Sequence, residues 1–93
     1  MSKHKLTSVL MTELARKDLE YWASSGNQKK IDRINALIES TLMDPLIGIG
    51  VPEQLRFKDE KTYSRRIDKT HRLVYRIDGK ALIIISARFH YEK

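Results

Sequence analysis

The sequence predicts an α+β fold, a helical hairpin packed on one face of a mainly antiparallel β-sheet, in the order β-α-α-β-β-β-β. Three observations carry this reading. Apolar residues recur at helical spacing through the first half of the chain. They recur at every second position through the second half. A stretch holding Pro45, Gly48, Gly50 and Pro52 separates the two regimes and reads as a loop.

Residues 6–11 form a short apolar segment, read as the first strand. Thr12 is a good helix N-cap, because its hydroxyl can accept an unpaired amide of the first turn. Glu13 suits the positive end of the helix dipole. Ala15, Leu19, Trp22 and Ala23 then recur at i, i+4, i+7 and i+8, which is one helix face. Gly26 fits a stop. Asn27 can cap a second helix, in which Ile31, Ile34, Leu37, Ile38 and Leu42 form the buried stripe and which Pro45 ends. Two helices joined by so short a turn form an antiparallel pair.

After the loop the period is two. Leu55 and Phe57 alternate with Gln54 and Arg56. Tyr63, Arg65 and Ile67 alternate with Ser64, Arg66 and Asp68, and Leu73, Tyr75 and Ile77 with Arg72, Val74 and Arg76. Asp78-Gly79 is a two-residue hairpin signal. The run 81–87 is apolar on both parities, which marks a central strand.

With 93 residues there is room for one domain, 1–93, in which residues 1–5 read as a flexible N-terminal extension. A core this small gains from a partner, a second copy of the chain included. The absence of cysteine excludes disulfides and thiolate metal sites. No signal peptide or membrane span is visible, so the expected location is cytoplasmic. Eighteen Lys and Arg against twelve Asp and Glu give +6, which points to a polyanion or an acidic protein as partner. The charge concentrates in Arg56, Lys58, Lys61, Arg65, Arg66, Lys69, Arg72 and Arg76.

If the helices cover one face of the sheet, the other is left for charge. Arg72 and Arg76 lie on one strand, Arg66 on its neighbour, and Arg88 and His90 at the end of the last strand. Cutting RNA without a metal needs a base for the 2′-OH, a cation for the charge that builds on phosphorus, and an acid for the leaving 5′ oxygen. Glu53, the strand arginines and His90 are residues of those three kinds. His4, His71 and His90 show no metal-ligand spacing, and neither a metal nor another cofactor is expected. Ser64 and Ser86 lack triad partners. Residue types alone reach a basic RNA binder and stop short of a nuclease.

Four ordered motifs go further. Pro52-Glu53-Gln54-Leu55, Ser64-Arg65-Arg66-Ile67, His71-Arg72-Leu73-Val74-Tyr75 and Ala87-Arg88-Phe89-His90-Tyr91 resemble the YoeB-type (Txe/YoeB) mRNA interferase toxins of the RelE superfamily, the toxin halves of bacterial toxin–antitoxin pairs. The resemblance runs from about Val9 to Tyr91 and includes Tyr21-Trp22 and Lys30-Ile31. It implies a ribosome-dependent, metal-independent endoribonuclease that cleaves mRNA in the ribosomal A site. It makes Glu53 the general base, Arg72 the transition-state arginine and His90 the general acid, with Tyr91 shaping the site. Arg56, Lys58, Arg65, Arg66 and Arg88 are then the expected RNA contacts, the Arg65-Arg66 pair matching a signature that orients either RNA or the catalytic carboxylate. The implied partners are a YefM-type antitoxin, the ribosome and mRNA. The loop departs from the family pattern in carrying Ile49 and Val51 where basic residues are usual. Two other readings use the same sequence: a ParE-like relative that inhibits gyrase and cuts nothing, and a basic RNA- or protein-binding module. The joint presence of Glu53, Arg72 and His90 favours the nuclease over both.

Overall fold

The computed structural model describes residues 5–55 and 61–89. The elements are β1 (Ser8–Met11), α1 (Glu13–Ser24), α2 (Gln28–Met43), β2 (Glu53–Gln54), β3 (Thr62–Arg66), β4 (Arg72–Asp78) and β5 (Ala81–Ser86). They form one sheet of order β1-β5-β4-β3-β2, in which β1 runs parallel to β5 and every other pair is antiparallel. This is the predicted α+β arrangement in the predicted chain order.

Local chemistry sets the helix ends. Thr12 Oγ1 accepts the Ala15 amide at 3.0 Å and donates to the Ile85 carbonyl at 2.7 Å, so the cap also ties α1 to β5. Asn27 Oδ1 accepts the Lys30 amide. Between the helices Gly26 adopts φ +71°, a left-handed turn that a Cβ would disfavour.

The core lies between the helices and one face of the sheet. Ala15 and Trp22 of α1 and Ile34 and Leu37 of α2 meet Tyr63, Leu73, Tyr75, Leu82 and Ile84. Each fully buried aliphatic or aromatic chain contributes about 1.5–3 kcal/mol.

Three details differ from the pattern read in the sequence. Ala23 is exposed, and Asp18 is buried in the helix face instead, its carboxylate accepting the Ala87 amide at 2.8 Å. The hairpin turn is Gly79-Lys80, one residue later than Asp78-Gly79, because Asp78 pairs with Ala81. Gly79 at φ +62° takes the first central position, as a type II′ turn requires. The first strand starts at Ser8, while Leu6 is buried and its amide bonds the Leu42 carbonyl at 2.8 Å. Residues 1–4, expected as part of a flexible extension, and Phe57 lie outside the described residues.

The turn between β3 and β4 is held by Asp68. Its Oδ1 accepts the amides of Thr70 (2.8 Å) and His71 (2.6 Å), and its Oδ2 pairs with Lys30 Nζ at 2.7 Å. Burial pushes this carboxyl up, but the Lys30 and amide hydrogen bonds, with the Lys30 charge, outweigh it and bring it from 3.8 down to about 2. A carboxyl lowered on folding stabilises the fold above its unfolded value, and that contribution is lost as pH falls from 3.8 towards about 2. Asp68→Asn keeps one acceptor for the turn and removes the charge. It should cost about 1 kcal/mol at pH 7, a figure held down by solvent screening of a partly exposed pair. Urea unfolding of both proteins at pH 7 and pH 3 checks this. The gap should narrow at pH 3, and a gap that widens would place the charge effect elsewhere.

Candidate active site

Glu53 and Arg72 lie far apart in sequence and are brought together by strand register. Glu53 stands opposite Ser64 across β2 and β3, and Arg66 stands opposite Arg72 across β3 and β4. Parity then turns Glu53, Ser64, Arg66 and Arg72 to the sheet face away from the helices. Arg72 Nη1 donates to Glu53 Oε1 at 2.9 Å and to Ser64 Oγ at 3.2 Å. The arginine side chain is 17% exposed and the glutamate side chain 48%. The cation is therefore anchored, and the carboxylate is open to a substrate.

The position of Glu53 depends on the loop before it, and that loop is built on Arg65. Arg65 is fully buried. Its Nε donates to Tyr75 Oη at 3.1 Å, Nη1 to Ser40 Oγ (2.8 Å) and the Ile49 carbonyl (3.1 Å), and Nη2 to the Asp44 (2.7 Å) and Ile47 (3.1 Å) carbonyls. All five guanidinium donors thus find an acceptor. Tyr75 Oη in turn donates a hydrogen bond to the Pro45 carbonyl at 2.7 Å. Burial pushes the Tyr75 phenol above its ordinary value, against the opposing influence of Arg65. Gly48, at φ +135°, lets the loop close on this guanidinium, since a Cβ there would lie 2.9 Å from Arg65 Nη1, and Gly50, at φ +86°, lets it pass Leu37, whose Cδ2 would lie 2.6 Å from a Cβ. Val51 follows at φ +52°, an unusual conformation for a β-branched residue, directly before Pro52 and Glu53.

Arg65 was expected to contact RNA or to orient the catalytic carboxylate. The structure corrects the first: the side chain lies on the core face and its donors are all taken by the protein. Arg66, its neighbour, is exposed on the open face. Arg88 also departs from the expected cluster. Its guanidinium lies 3.5 Å over the Tyr21 ring of α1 and 4.5 Å from the Phe89 ring, rather than beside Arg72. Arg56, Lys58, His90 and Tyr91 lie outside the described residues. The chain nonetheless returns to the site, because the Arg72 amide donates to the Phe89 carbonyl at 3.1 Å.

Ser64 was passed over in the sequence because no triad could be built on it. Its position opposite Glu53 in strand register is what makes it a second anchor for Arg72. Among the described residues no group of three His, Asp or Glu side chains could hold a metal ion.

A helical hairpin over a five-stranded sheet, with a carboxylate–arginine pair on the face away from the helices, is the RelE-like fold of the YoeB toxins. Residues 11–91 match the family model described as the YoeB-like toxin of bacterial type II toxin-antitoxin system, and the chain belongs to that family. A toxin YoeB of Synechocystis sp. is 44% identical over 85 residues, covering 91% of this chain and 98% of the relative. The structure of a YoeB dimer from Staphylococcus aureus superposes with a TM-score of 0.81 at 35% identity, over 94% of this chain and 99% of that one. A heterotetrameric YoeB–YefM toxin–antitoxin complex from Staphylococcus aureus gives 0.80 at 35% identity, again over 94% and 99%.

Proposed function

We propose that this toxin is a ribosome-dependent, metal-independent endoribonuclease that cleaves mRNA in the ribosomal A site and so stops translation. The observation that supports it most is the bridge from Arg72 Nη1 to Glu53 and Ser64 on the open sheet face. In the free protein Arg72 neutralises Glu53. An arriving phosphate competes for the guanidinium, which then stabilises charge on phosphorus and leaves Glu53 free to take the 2′-OH proton. His90 protonates the leaving 5′ oxygen, and Tyr91 shapes the site beside it. Arg56, Lys58 and Arg66 contact the RNA backbone, with Arg88 at the rim.

A single exposed carboxylate is a weak base for a hydroxyl, so alignment of the message by the ribosome supplies much of the rate. The protein acts in the cytoplasm, where its substrate is. By analogy with the Staphylococcus aureus assemblies, a YefM-type antitoxin holds it inactive, and free toxin pairs with a second copy of itself. Acidic antitoxin side chains are the natural complement to Arg66 and Arg72.

A purified translation system tests this reading. Messages should be cut on the ribosome to leave a 5′ hydroxyl and a cyclic or 3′ phosphate, and a 2′-deoxy nucleotide at the scissile position should block the cut. Naked RNA should be cut poorly. Products with 5′ phosphates, or equal rates on naked and ribosome-bound message, would sink the scheme. Loss of gyrase activity without any cleavage would support the ParE-like reading instead.

A further inference from the structure

We propose that His71 is a positioning residue: it holds the chain entering residue 90 in the place the chemistry needs. The inference rests on the reading above, in which His90 is the general acid.

After β5 ends at Ser86, three residues lead to His90, and their backbone is held by four hydrogen bonds. Asp18 Oδ2 accepts the Ala87 amide at 2.8 Å. Trp22 Nε1 donates to the Ala87 carbonyl at 2.9 Å. His71 Nδ1 accepts the Phe89 amide at 2.7 Å, and the Arg72 amide donates to the Phe89 carbonyl at 3.1 Å. Asp18 and Trp22 stand one turn apart on α1, so a single helix face supplies half of the grip. The His71 ring stands edge-on to Trp22, with centroids 4.9 Å apart, and 5.6 Å from the Phe89 ring. Phe89 adopts φ +63°, a left-handed conformation that a bulky side chain rarely takes without external restraint.

Backbone that has left its last strand keeps one conformation only where other groups tie it down. Here the tie is made to the residue before Arg72 and to Arg72 itself. The peptide ahead of His90 and the transition-state arginine therefore share one frame. A general acid displaced by an ångström loses much of its effect, so the frame is part of the chemistry.

The Phe89 bond also fixes which ring nitrogen of neutral His71 carries the proton. A ring nitrogen that accepts an N–H carries no proton, so neutral His71 bears its proton on Nε2. Protonation at Nδ1 would set one N–H against another and release the Phe89 amide. The charged groups on the neighbouring elements have contacts of their own, although Arg88 Nε is buried without a hydrogen bond. Asp68 accepts the His71 amide and pairs with Lys30, and Asp18 accepts the Ala87 amide. Arg72 is held by Glu53, and Arg88 lies on Tyr21.

The test has two arms. In the free full-length protein, nitrogen NMR should show His71 with its proton on Nε2. A scalar coupling across the hydrogen bond should link the Phe89 amide to His71 Nδ1, and it should be absent in His71→Asn. In single-turnover cleavage on the ribosome, His71→Ala should slow the chemical step by roughly tenfold or more with little change in ribosome affinity. His71→Asn puts an oxygen that cannot protonate near the place of Nδ1, and should recover the rate to within about threefold of wild type. A Phe89 amide indifferent to His71, a His71→Ala protein as fast as wild type, or His71→Asn as slow as His71→Ala would each overturn the proposal. A wild-type protein that cuts nothing would remove the nuclease reading alone, since the NMR arm judges the grip without cleavage.

Discussion

Replacing Arg65 with alanine will destabilise the protein by about 3 kcal/mol, the loss expected when a buried hydrogen-bonded group is removed and its partners are left unpaired. For a domain of this size that lowers the melting temperature by on the order of 15 °C. The reason is the number of groups that depend on one side chain. The Asp44, Ile47 and Ile49 carbonyls, Ser40 Oγ and Tyr75 Oη all accept from it. Without the guanidinium these acceptors must find water, and the loop must open to admit it. Arg65→Lys will not repair the loss, because an ammonium has three donors where the site presents five acceptors, and it lacks the planar fork. The loop also carries the chain into Glu53, so cleavage should fall with stability. Thermal unfolding followed by circular dichroism checks the first effect. A variant that melts within a few degrees of wild type would show that the cage of carbonyls is well hydrated and contributes little.

Arg65 also shows where the sequence was legible and where it was not. Alternation placed it with Tyr63 and Ile67 on the core face, and that placement is correct. Its charge argued for solvent, because buried arginines are rare and need partners that a sequence does not display. Those partners are backbone carbonyls of a loop, and a carbonyl has no letter in the sequence. The helix caps at Thr12 and Asn27 were readable because a cap acts within three residues of itself. Asp18 was not readable for the opposite reason. A carboxylate on a helix looks solvated until its acceptor role is known, and its partner amide at Ala87 lies 69 residues away. Strand types followed from the period of two, but the pairing of β1 with β5 depends on contacts across most of the chain. For the candidate site, residue types named Glu53 and an arginine row without singling out Arg72. The resemblance singled it out, and strand register supplies the physical reason, since among the described residues Arg72 is the arginine paired with Glu53.

Arg72→Ala should do the reverse of Arg65→Ala: little to stability and much to chemistry. Glu53 is about half exposed, and an ion pair open to solvent stabilises a fold by about 1 kcal/mol or less. The melting temperature should therefore move by only a few degrees. In the cleavage step the same guanidinium faces a phosphorus centre gaining negative charge. Loss of one such contact slows a reaction by roughly a hundredfold or more, which corresponds to about 2.7 kcal/mol of transition-state stabilisation. Arg72→Lys should recover only part of the rate. It returns a positive charge but not a planar fork able to hold Glu53 and Ser64 while reaching a phosphate. Single-turnover cleavage of ribosome-bound message, measured beside thermal unfolding for both arginine variants, gives the comparison. If Arg72→Ala cuts at the wild-type rate, the bridge between Glu53 and Ser64 is only a surface ion pair, and the cation for the transition state must be sought among Arg56, Lys58 and Arg66.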